Sequence, residues 1–321
     1  MVKRTWAWAL LFLSPFSLVA QSLKLEGKVA FVEGPAWHPS GNVYFSDIPN
    51  NRILRRDPVG VIHVFRTPSG RANGLLFGPQ QRLHACEGGG EGGNRRVTRL
   101  NADGTIEVLT DRFDGKRYNS PNDLTFHNGR LYFTDPRYGD RSDIEQMDDQ
   151  GQTIEGVYRL DPDGAVSRIL THEVDRPNGI AISRDGEFLF LADNNNSERG
   201  ANRKLWRWNL DADGNPDLAS QKLLYDWKLE RGPDGMCLGP DDRLYVTAGL
   251  NYPTAPSVEA KDHPAGVTVF TQEGEKVAFY PVPNDAITNC TFGGPDGKTL
   301  FITAGHRLWS LDLSREVAPK K

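Results

Sequence analysis

The sequence contains little cysteine and no set of cysteines that could staple a small fold. Only Cys86, Cys237 and Cys290 occur among 321 residues, and so small and odd a number excludes a disulfide scaffold. None of them stands in a CxxC or Cys/His spacing, which excludes the common structural zinc modules. Cys237 and Cys290 could pair in an oxidising compartment, although we favour buried free thiols.

A basic surface and long apolar runs are also missing beyond the first 20 residues. The formal net charge is −4 and the sequence pI is about 6.0, with Lys and Arg scattered along the chain. This excludes the electrostatic footprint of a nucleic-acid-binding protein, so we expect no nucleic-acid partner. No segment carries a convincing amphipathic helical pattern, which points away from all-α and α/β folds.

The first 20 residues are typical of a secretory signal peptide. Lys3 and Arg4 precede an apolar run from residue 6 to residue 20 that ends in the small Ala20. Because Ser14 and Pro15 interrupt this short run, it is poorly suited to spanning a membrane; an uncleaved anchor is the alternative. We therefore expect a mature domain of residues 21–321 that is secreted or periplasmic, without stable membrane insertion after cleavage.

One pattern is present six times. Each copy opens with a polar residue, usually beside Gly or Pro as in Glu33-Gly34-Pro35, and continues into a short alternating strand, a Gly, Asn or Asp turn and a second apolar strand. Most copies add a third strand that ends in an acidic turn, and a fourth. Short alternating runs between turn residues indicate antiparallel strands. Six units of four strands predict an all-β fold, a six-bladed β-propeller with four-stranded antiparallel blades; a β-sandwich is the rival.

Two further segments complete this prediction. Residues 23–32 precede the first copy, and we expect them to supply the outer strand of the last blade and so close the ring. Residues 139–155 are polar and are expected to form a long loop. The sequence therefore predicts one continuous domain without a linker.

The opening residues of the six copies form a column of oxygen-bearing side chains. They are Glu33, Asn73, Asn122, Asn178, Asp234 and Asn289. Because the innermost strand of a blade lines the central channel, equivalent positions face the same axis. Calcium takes six to eight oxygen ligands, including Asn side chains, whereas zinc prefers His and Cys. The column therefore predicts a divalent metal site; a calcium that only holds the blades together and a polar, metal-free tunnel are the alternatives.

Across the mature chain, these motifs resemble the gluconolactonase and senescence-marker-protein (regucalcin) family of six-bladed propellers. The matching stretches lie at residues 33–37, 95–99, 118–124, 132–136, 176–180, 232–236 and 292–294. Residues 119–124, Asn-Ser-Pro-Asn-Asp-Leu, look more like the bacterial gluconolactonase branch than the animal regucalcins. A departure is the Gly-rich insertion at residues 88–93, which we expect on a loop near the channel mouth.

The resemblance implies roles for several column residues. It implies that Glu33, Asn178 and Asp234 hold the metal, that Asn122 contacts metal or substrate, and that Asp234 is the catalytic base or nucleophile. Asn73 and Asn289 are assigned to substrate binding on their column position alone. The expected cofactor is Ca²⁺, with Zn²⁺, Mn²⁺ or Mg²⁺ as alternatives.

The expected function is the hydrolysis of a sugar lactone, a carboxylic ester, with the metal polarising the carbonyl and Asp234 directing water. Amide donors such as Asn122 would stabilise the oxyanion, and no GxSxG or HExxH motif offers a rival nucleophile or base. The alternatives are hydrolysis of other lactones, esters or organophosphates, and a calcium-binding propeller without turnover. Arg137, Tyr138 and His306 are expected near the channel mouth as packing or solvated residues, and the chain as a monomer or small homo-oligomer.

Overall fold

The repeated runs fold as strands because each is short, alternates in polarity and ends at a residue suited to a turn. A computed structural model describes residues 23–314. Six four-stranded antiparallel sheets succeed one another along the chain, and their innermost strands contact one another in a closed ring. The predicted all-β, six-bladed propeller is confirmed.

The strands of the first three blades run from the channel outwards as follows. They are β2 (Val32–Trp37), β3 (Val43–Asp47), β4 (Arg52–Arg56) and β5 (Ile62–Arg66); β6 (Ala72–Phe77), β7 (Leu83–Glu87), β8 (Arg96–Leu100) and β9 (Ile106–Thr110); and β12 (Leu124–His127), β13 (Arg130–Asp135), β14 (Gly156–Leu160) and β15 (Val166–Leu170). The small hairpin β10 (Arg112–Phe113) and β11 (Lys116–Arg117) stands between the second and third blades.

The last three blades repeat the arrangement. They are β16 (Pro177–Ile182), β17 (Phe188–Asn194), β18 (Arg203–Asn209) and β19 (Lys222–Asp226); β20 (Met236–Leu238), β21 (Leu244–Ala248), β22 (Gly266–Phe270) and β23 (Lys276–Pro281); and β24 (Ile287–Gly293), β25 (Thr299–Ala304), β26 (Arg307–Asp312) and β1 (Lys24–Lys28).

The N-terminal strand closes the ring as the sequence predicted. Strand β1 pairs antiparallel with β26 and forms the outer edge of the sixth blade. Glu26 in this strand contacts both the last and the first blade. Its carboxylate accepts hydrogen bonds from Ser310 of the last blade at 2.8 Å and from Arg56 of the first blade at 2.7 Å. Backbone pairing therefore fixes β1 within the last blade, and the buried Arg56–Glu26 ion pair joins that strand to the first blade.

Among residues 23–314, helix is confined to two three-residue 3₁₀ turns, Pro79–Gln81 and Leu218–Ser220. Residues 23–314 contain no helix long and apolar enough to cross a membrane. Between β13 and β14 the chain forms the long loop that the sequence predicted. The predicted signal peptide, residues 1–20, lies outside the described residues, so the cleavage and the export that follows from it stay predictions.

Glycine allows neighbouring inner strands to approach each other closely. The backbone N–H of Gly179 donates to the carbonyl oxygen of Asp234 in the next blade at 2.9 Å, and a Cβ on Gly179 would lie only 2.5 Å from that oxygen. The same link joins Gly74 to Asn122. Polar residues that precede these glycines are thereby held close together around the channel.

Candidate active site

Five of the six predicted site residues line one cavity where the inner strands begin. The cavity has a volume of about 380 Å³, and Glu33, Asn73, Asn122, Asn178 and Asp234 are all in its wall. Glu33, Asn73 and Asn178 are the second residues of their inner strands, whereas Asn122 and Asp234 stand two residues before theirs. The propeller therefore brings together side chains that are 201 residues apart at the extremes, Glu33 and Asp234 (234 − 33).

Asn289 is one residue out of register with the other five. The backbone N–H of Gly235 donates to the carbonyl of Thr288 at 2.6 Å, in the way that Gly74 donates to Asn122 at 2.7 Å. Thr288 therefore occupies the column position in the sixth blade. The predicted position of Asn289 in the column is thus corrected, because its neighbour Thr288, and not Asn289, makes the inter-blade backbone contact of a column residue.

The side chain of Asn289 is bound to a deeper residue of the channel. Its Nδ2 donates to Asp123 Oδ2 at 3.1 Å, and its Oδ1 accepts from the backbone N–H of Cys290 at 2.7 Å. Asn289 is not part of the cavity wall, so its assignment to substrate binding stays a prediction without support from position. Asp123, buried beside it, was not singled out by the column.

The two column carboxylates are buried and repel each other. Glu33 is 5% exposed and Asp234 is 7% exposed. Burial raises the pKa of Glu33 well above its usual range, and the charges of Asp234 and Asp123 raise it further. Burial also raises the pKa of Asp234, opposed by the charge and hydrogen bond of Arg231. Two buried carboxylates in one site favour the presence of a positive group beside them.

The donor set fits a hard divalent cation. Within residues 23–314, no three His, Cys, Asp or Glu side chains gather in a metal-binding group, so a cation here would be held by two carboxylates and amide oxygens. Asn178 Nδ2 donates to the Tyr138 hydroxyl at 2.9 Å, which leaves its Oδ1 for a cation. Oxygen-only ligands of mixed charge are suited to Ca²⁺, whereas Zn²⁺ prefers nitrogen and sulfur.

Arg231 is a site residue that the sequence analysis missed. Its Nη2 donates to Asp234 Oδ2 at 2.5 Å and its Nη1 donates to the carbonyl of Ile287 at 2.6 Å. It lines the same cavity. The sequence signal that could have identified it is its position three residues before Asp234. That spacing is not decisive, because the side chain of a loop arginine has no fixed direction.

Comparison with known proteins decides the family. Residues 31–306 match the family model described as "SMP-30/Gluconolactonase/LRE-like region". The gluconolactonase of Zymomonas mobilis is 32% identical over 310 residues, which cover 88% of this chain and 79% of the relative. The chain belongs to the SMP-30/gluconolactonase family.

A second sequence relative and a solved structure are also similar to this member of the SMP-30/gluconolactonase family. Pentonolactonase XacC of Haloferax volcanii is 25% identical, covering 84% of this chain and 80% of the relative. The solved structure of a gluconolactonase from Xanthomonas campestris has a TM-score of 0.72 at 29% identity, with 90% of this chain and 89% of the other covered. The resemblance inferred from the sequence motifs is confirmed.

Tyr138 enters the site of this family member from the long loop after β13. The preceding residue, Arg137, anchors that loop, since its backbone N–H donates to Glu155 at 2.7 Å and its Nη1 donates to the carbonyl of Asn119 at 3.0 Å. Tyr138 then reaches the cavity wall. Arg137 is thus a packing residue as expected, whereas Tyr138 is part of the site, and His306 stands outside the cavity wall in the turn between β25 and β26.

A carboxylate recurs near the end of the second strand, and in three blades it accepts hydrogen bonds from the backbone just before an inner strand. The second strand of each of the first four blades has a carboxylate near its end, at Asp47, Glu87, Asp135 and Asp193. Asp135 accepts from the backbone N–H groups of Asn119 at 2.8 Å and Ser120 at 2.7 Å, just before Asn122. In the sequence, each of these carboxylates stands at or near the end of the second apolar run of its copy. They therefore form a second repeat, separate from the column of opening residues.

Proposed function

We propose that this chain hydrolyses sugar lactones in the cavity around Glu33, Asn122, Asn178 and Asp234, and that these residues hold a divalent cation, with calcium the best fit. The observation that carries the proposal is the pair of buried carboxylates in one cavity wall with amide side chains, one carboxylate held by Arg231. The names of two relatives, a gluconolactonase and a pentonolactonase, support lactones as the substrate class.

The chemistry follows from what each side chain can do. Asp234 removes a proton from water as the water oxygen bonds to the lactone carbonyl carbon, and Arg231 keeps the carboxylate oriented. The ring C–O bond then breaks, and Asp234 returns the proton to the ring oxygen, which yields the hydroxy acid. A bound cation would supply Lewis-acid polarisation of the carbonyl. Asn122 is placed to donate to the oxyanion because its amide makes no hydrogen bond to another described side chain.

The test uses the mature chain, residues 21–321, with glucono-1,5-lactone and a pH indicator. We expect turnover above the uncatalysed rate that a chelator removes and added Ca²⁺ restores, with Mg²⁺, Mn²⁺ and Zn²⁺ compared in parallel. Glu33→Gln and Asp234→Asn should each remove most of the activity, while exposed Glu273→Gln serves as a matched control. Failure to hydrolyse a panel of sugar lactones, esters and organophosphates would leave a propeller that only binds ligands.

Cation binding is measured independently of turnover by thermal denaturation. A cation that binds only the folded chain stabilises it by mass action, by about 2.7 kcal/mol at a hundredfold excess over Kd. Ca²⁺ should therefore raise the Tm of the wild type and of Glu273→Gln, but not that of Glu33→Gln. An equal rise in Tm in the wild type and in both variants would show that the cation does not bind at this site.

We also propose that the chain is exported, on the basis of residues 1–20 alone. Cell fractionation of the full-length chain in a bacterial host should recover a product shortened to residue 21 from the periplasm or the medium. Recovery of the full-length chain in the membrane fraction would instead support the uncleaved anchor.

A further inference from the structure

Arg71 is a cationic residue of the cavity wall that the proposed chemistry does not use. It stands two residues before Asn73 and lines the same cavity. Its Nε donates to the carbonyl of Gly89 at 3.1 Å, but neither Nη atom hydrogen-bonds to any residue between 23 and 314. Arg231, the other cavity arginine, is neutralised by Asp234. Arg71 has no carboxylate partner among residues 23–314.

The backbone of Arg71 adopts a conformation that L-residues rarely take. Its φ is +56°, in the left-handed region that is uncommon for a long side chain. Asn51 holds it there, because Asn51 Oδ1 accepts from the backbone N–H of Arg71 at 2.7 Å and from that of Ser69 at 3.1 Å. Strained backbone that the surroundings hold in place is found at active sites and ligand clamps, and Arg71 is the positive-φ residue in this cavity wall.

The Gly-rich insertion forms the support for this side chain. The backbone N–H of Gly88 donates to the carbonyl of Arg71 at 3.1 Å, and the Asn51 amide donates to the carbonyl of Gly92 at 3.3 Å. Gly89 packs so closely on Arg137 and Asn119 that a Cβ there would collide with both. The insertion therefore brings a backbone carbonyl against Arg71 Nε and fixes the plane of the guanidinium.

We propose that Arg71 selects lactones that carry a second, anionic group. A fixed guanidinium with two free Nη atoms matches the paired oxygens of a carboxylate or a phosphate. The preferred substrate is thus a sugar-acid lactone with an anionic substituent away from the reacting ester, and Arg71 binds that substituent. This inference rests on the proposed lactone hydrolysis and names its substrate class.

The test compares lactones that differ only in this group. One pair is 6-phosphoglucono-1,5-lactone with glucono-1,5-lactone; the other is glucaro-1,4-lactone with glucono-1,4-lactone. In the wild type we expect kcat/KM to be about tenfold to a hundredfold higher for the anionic member of at least one pair, the range of a charge-assisted hydrogen bond, and the two pairs separate phosphate from carboxylate. A ratio of one or less in both pairs overturns the proposal.

Variants assign the preference to Arg71. Arg71→Asn removes the charge with a residue that tolerates positive φ, and the anionic-to-neutral ratio should fall at least tenfold, mainly through KM. Arg71→Lys should retain part of the preference. The matched control is Lys228→Asn, since Lys228 is exposed, has a φ of +56° and lies outside the cavity wall. An unchanged ratio in Arg71→Asn would contradict the assignment.

Calorimetry with the hydroxy acid products separates this inference from the proposed function. 6-Phosphogluconate and glucarate are each compared with gluconate, in the wild type and in Arg71→Asn. Charge-selective binding without turnover of any lactone would refute the lactonase and retain Arg71 as an anion-binding residue. Turnover without charge selectivity would support the lactonase and refute Arg71 as an anion-binding residue.

Discussion

Arg231 and Asp234 form a buried ion pair in the wall of the candidate active site, with 2.5 Å between Nη2 and Oδ2. Only 13% of the arginine side chain and 9% of the aspartate side chain are exposed. The second Nη of Arg231 is fixed on the carbonyl of Ile287 in the next blade. The carboxylate proposed as the base is therefore oriented from the sixth blade through an arginine, which makes Arg231 a positioning residue.

Replacing Arg231 by Met should lower kcat about tenfold to a hundredfold, because a hydrogen bond between charged groups contributes about 1.5–3 kcal/mol. KM should change less, since the water-activating carboxylate is displaced rather than the substrate contacts. Steady-state kinetics on glucono-1,5-lactone gives this split. Arg231→Ala should regain part of its kcat in millimolar guanidinium, which a purely structural role would not produce.

The matched control for Arg231 is Arg243→Met. Arg243 also faces a nearby aspartate, Asp241, at 3.6 Å, but lies outside the cavity wall. This variant should keep wild-type kcat. Equal losses in Arg231→Met and Arg243→Met would show that the effect comes from general destabilisation.

Two carboxylates at equivalent blade positions, Asp135 and Glu87, should respond to pH in opposite directions. Burial raises the pKa of Asp135 to about 7. Burial alone would also raise the pKa of Glu87, but the hydrogen bond from Asn94 and the charge of Arg66 outweigh it and lower the pKa. The hydrogen-bond and charge partners of each carboxylate, not its position in the blade, thus set the direction of its pKa shift.

The stability of the wild type relative to Asp135→Asn should fall between about pH 4 and pH 7. A carboxyl whose pKa is higher in the folded than in the unfolded state holds its proton more tightly when folded, so its contribution declines as pH rises through this window and stays low above pH 7. Urea denaturation at pH 4.5, 6 and 8 measures the difference. A difference independent of pH would contradict a raised pKa at Asp135.

The stability of the wild type relative to Glu87→Gln should change with pH in the opposite direction. A lowered pKa contributes stability above the unfolded value, near pH 4.3, that is lost as pH falls through the folded pKa. Glu87→Gln should therefore destabilise the protein by a constant amount between pH 6 and 8, and by less near pH 4. The two variants together separate the titration of each site from the pH dependence of the whole domain.

Asn73 and Asn289 should behave differently although the sequence placed both in one column. Asn73 lines the cavity, so Asn73→Ala should raise KM several-fold with little change in stability. Asn289 is bonded to buried Asp123, and Asn289→Ala should lower the free energy of unfolding by about 1–3 kcal/mol, since a buried acceptor loses its donor. Kinetics and urea denaturation of both variants check this, and a selective KM effect in Asn289→Ala would return Asn289 to the substrate site.

The fold followed from the sequence because strand alternation and turn residues are local signals, and six copies of them restrict the architecture. Column residues at Glu33, Asn178 and Asp234 could also be predicted, since each precedes or stands beside a glycine that marks the close approach of blades. The register of Asn289 could not, because neither neighbour of Asn289 is the Gly or Pro that aligns the other copies. Arg71 and Arg231 were missed for a different reason: both lie on loops before their inner strands, where no periodic pattern fixes the direction of a side chain.

The Gly179–Asp234 link couples blade packing to the position of the proposed base. A Cβ on Gly179 would lie 2.5 Å from the carbonyl oxygen of Asp234 and 2.8 Å from the Cα of Gly235. Both atoms belong to the backbone, so no side chain can rotate away and the blades must separate.

Gly179→Ala should therefore lower the free energy of unfolding by about 1–3 kcal/mol, the usual range for overpacking, and should also lower kcat, because the displaced backbone carries the Asp234 carboxylate. Gly164→Ala is the control, since Gly164 has a φ of +88° and nothing within 4 Å of an added Cβ. That variant should lose about 1 kcal/mol to backbone strain alone and retain kcat. If Gly179→Ala lost stability but kept full kcat, the carboxylate would be positioned by Arg231 without help from the blade contact.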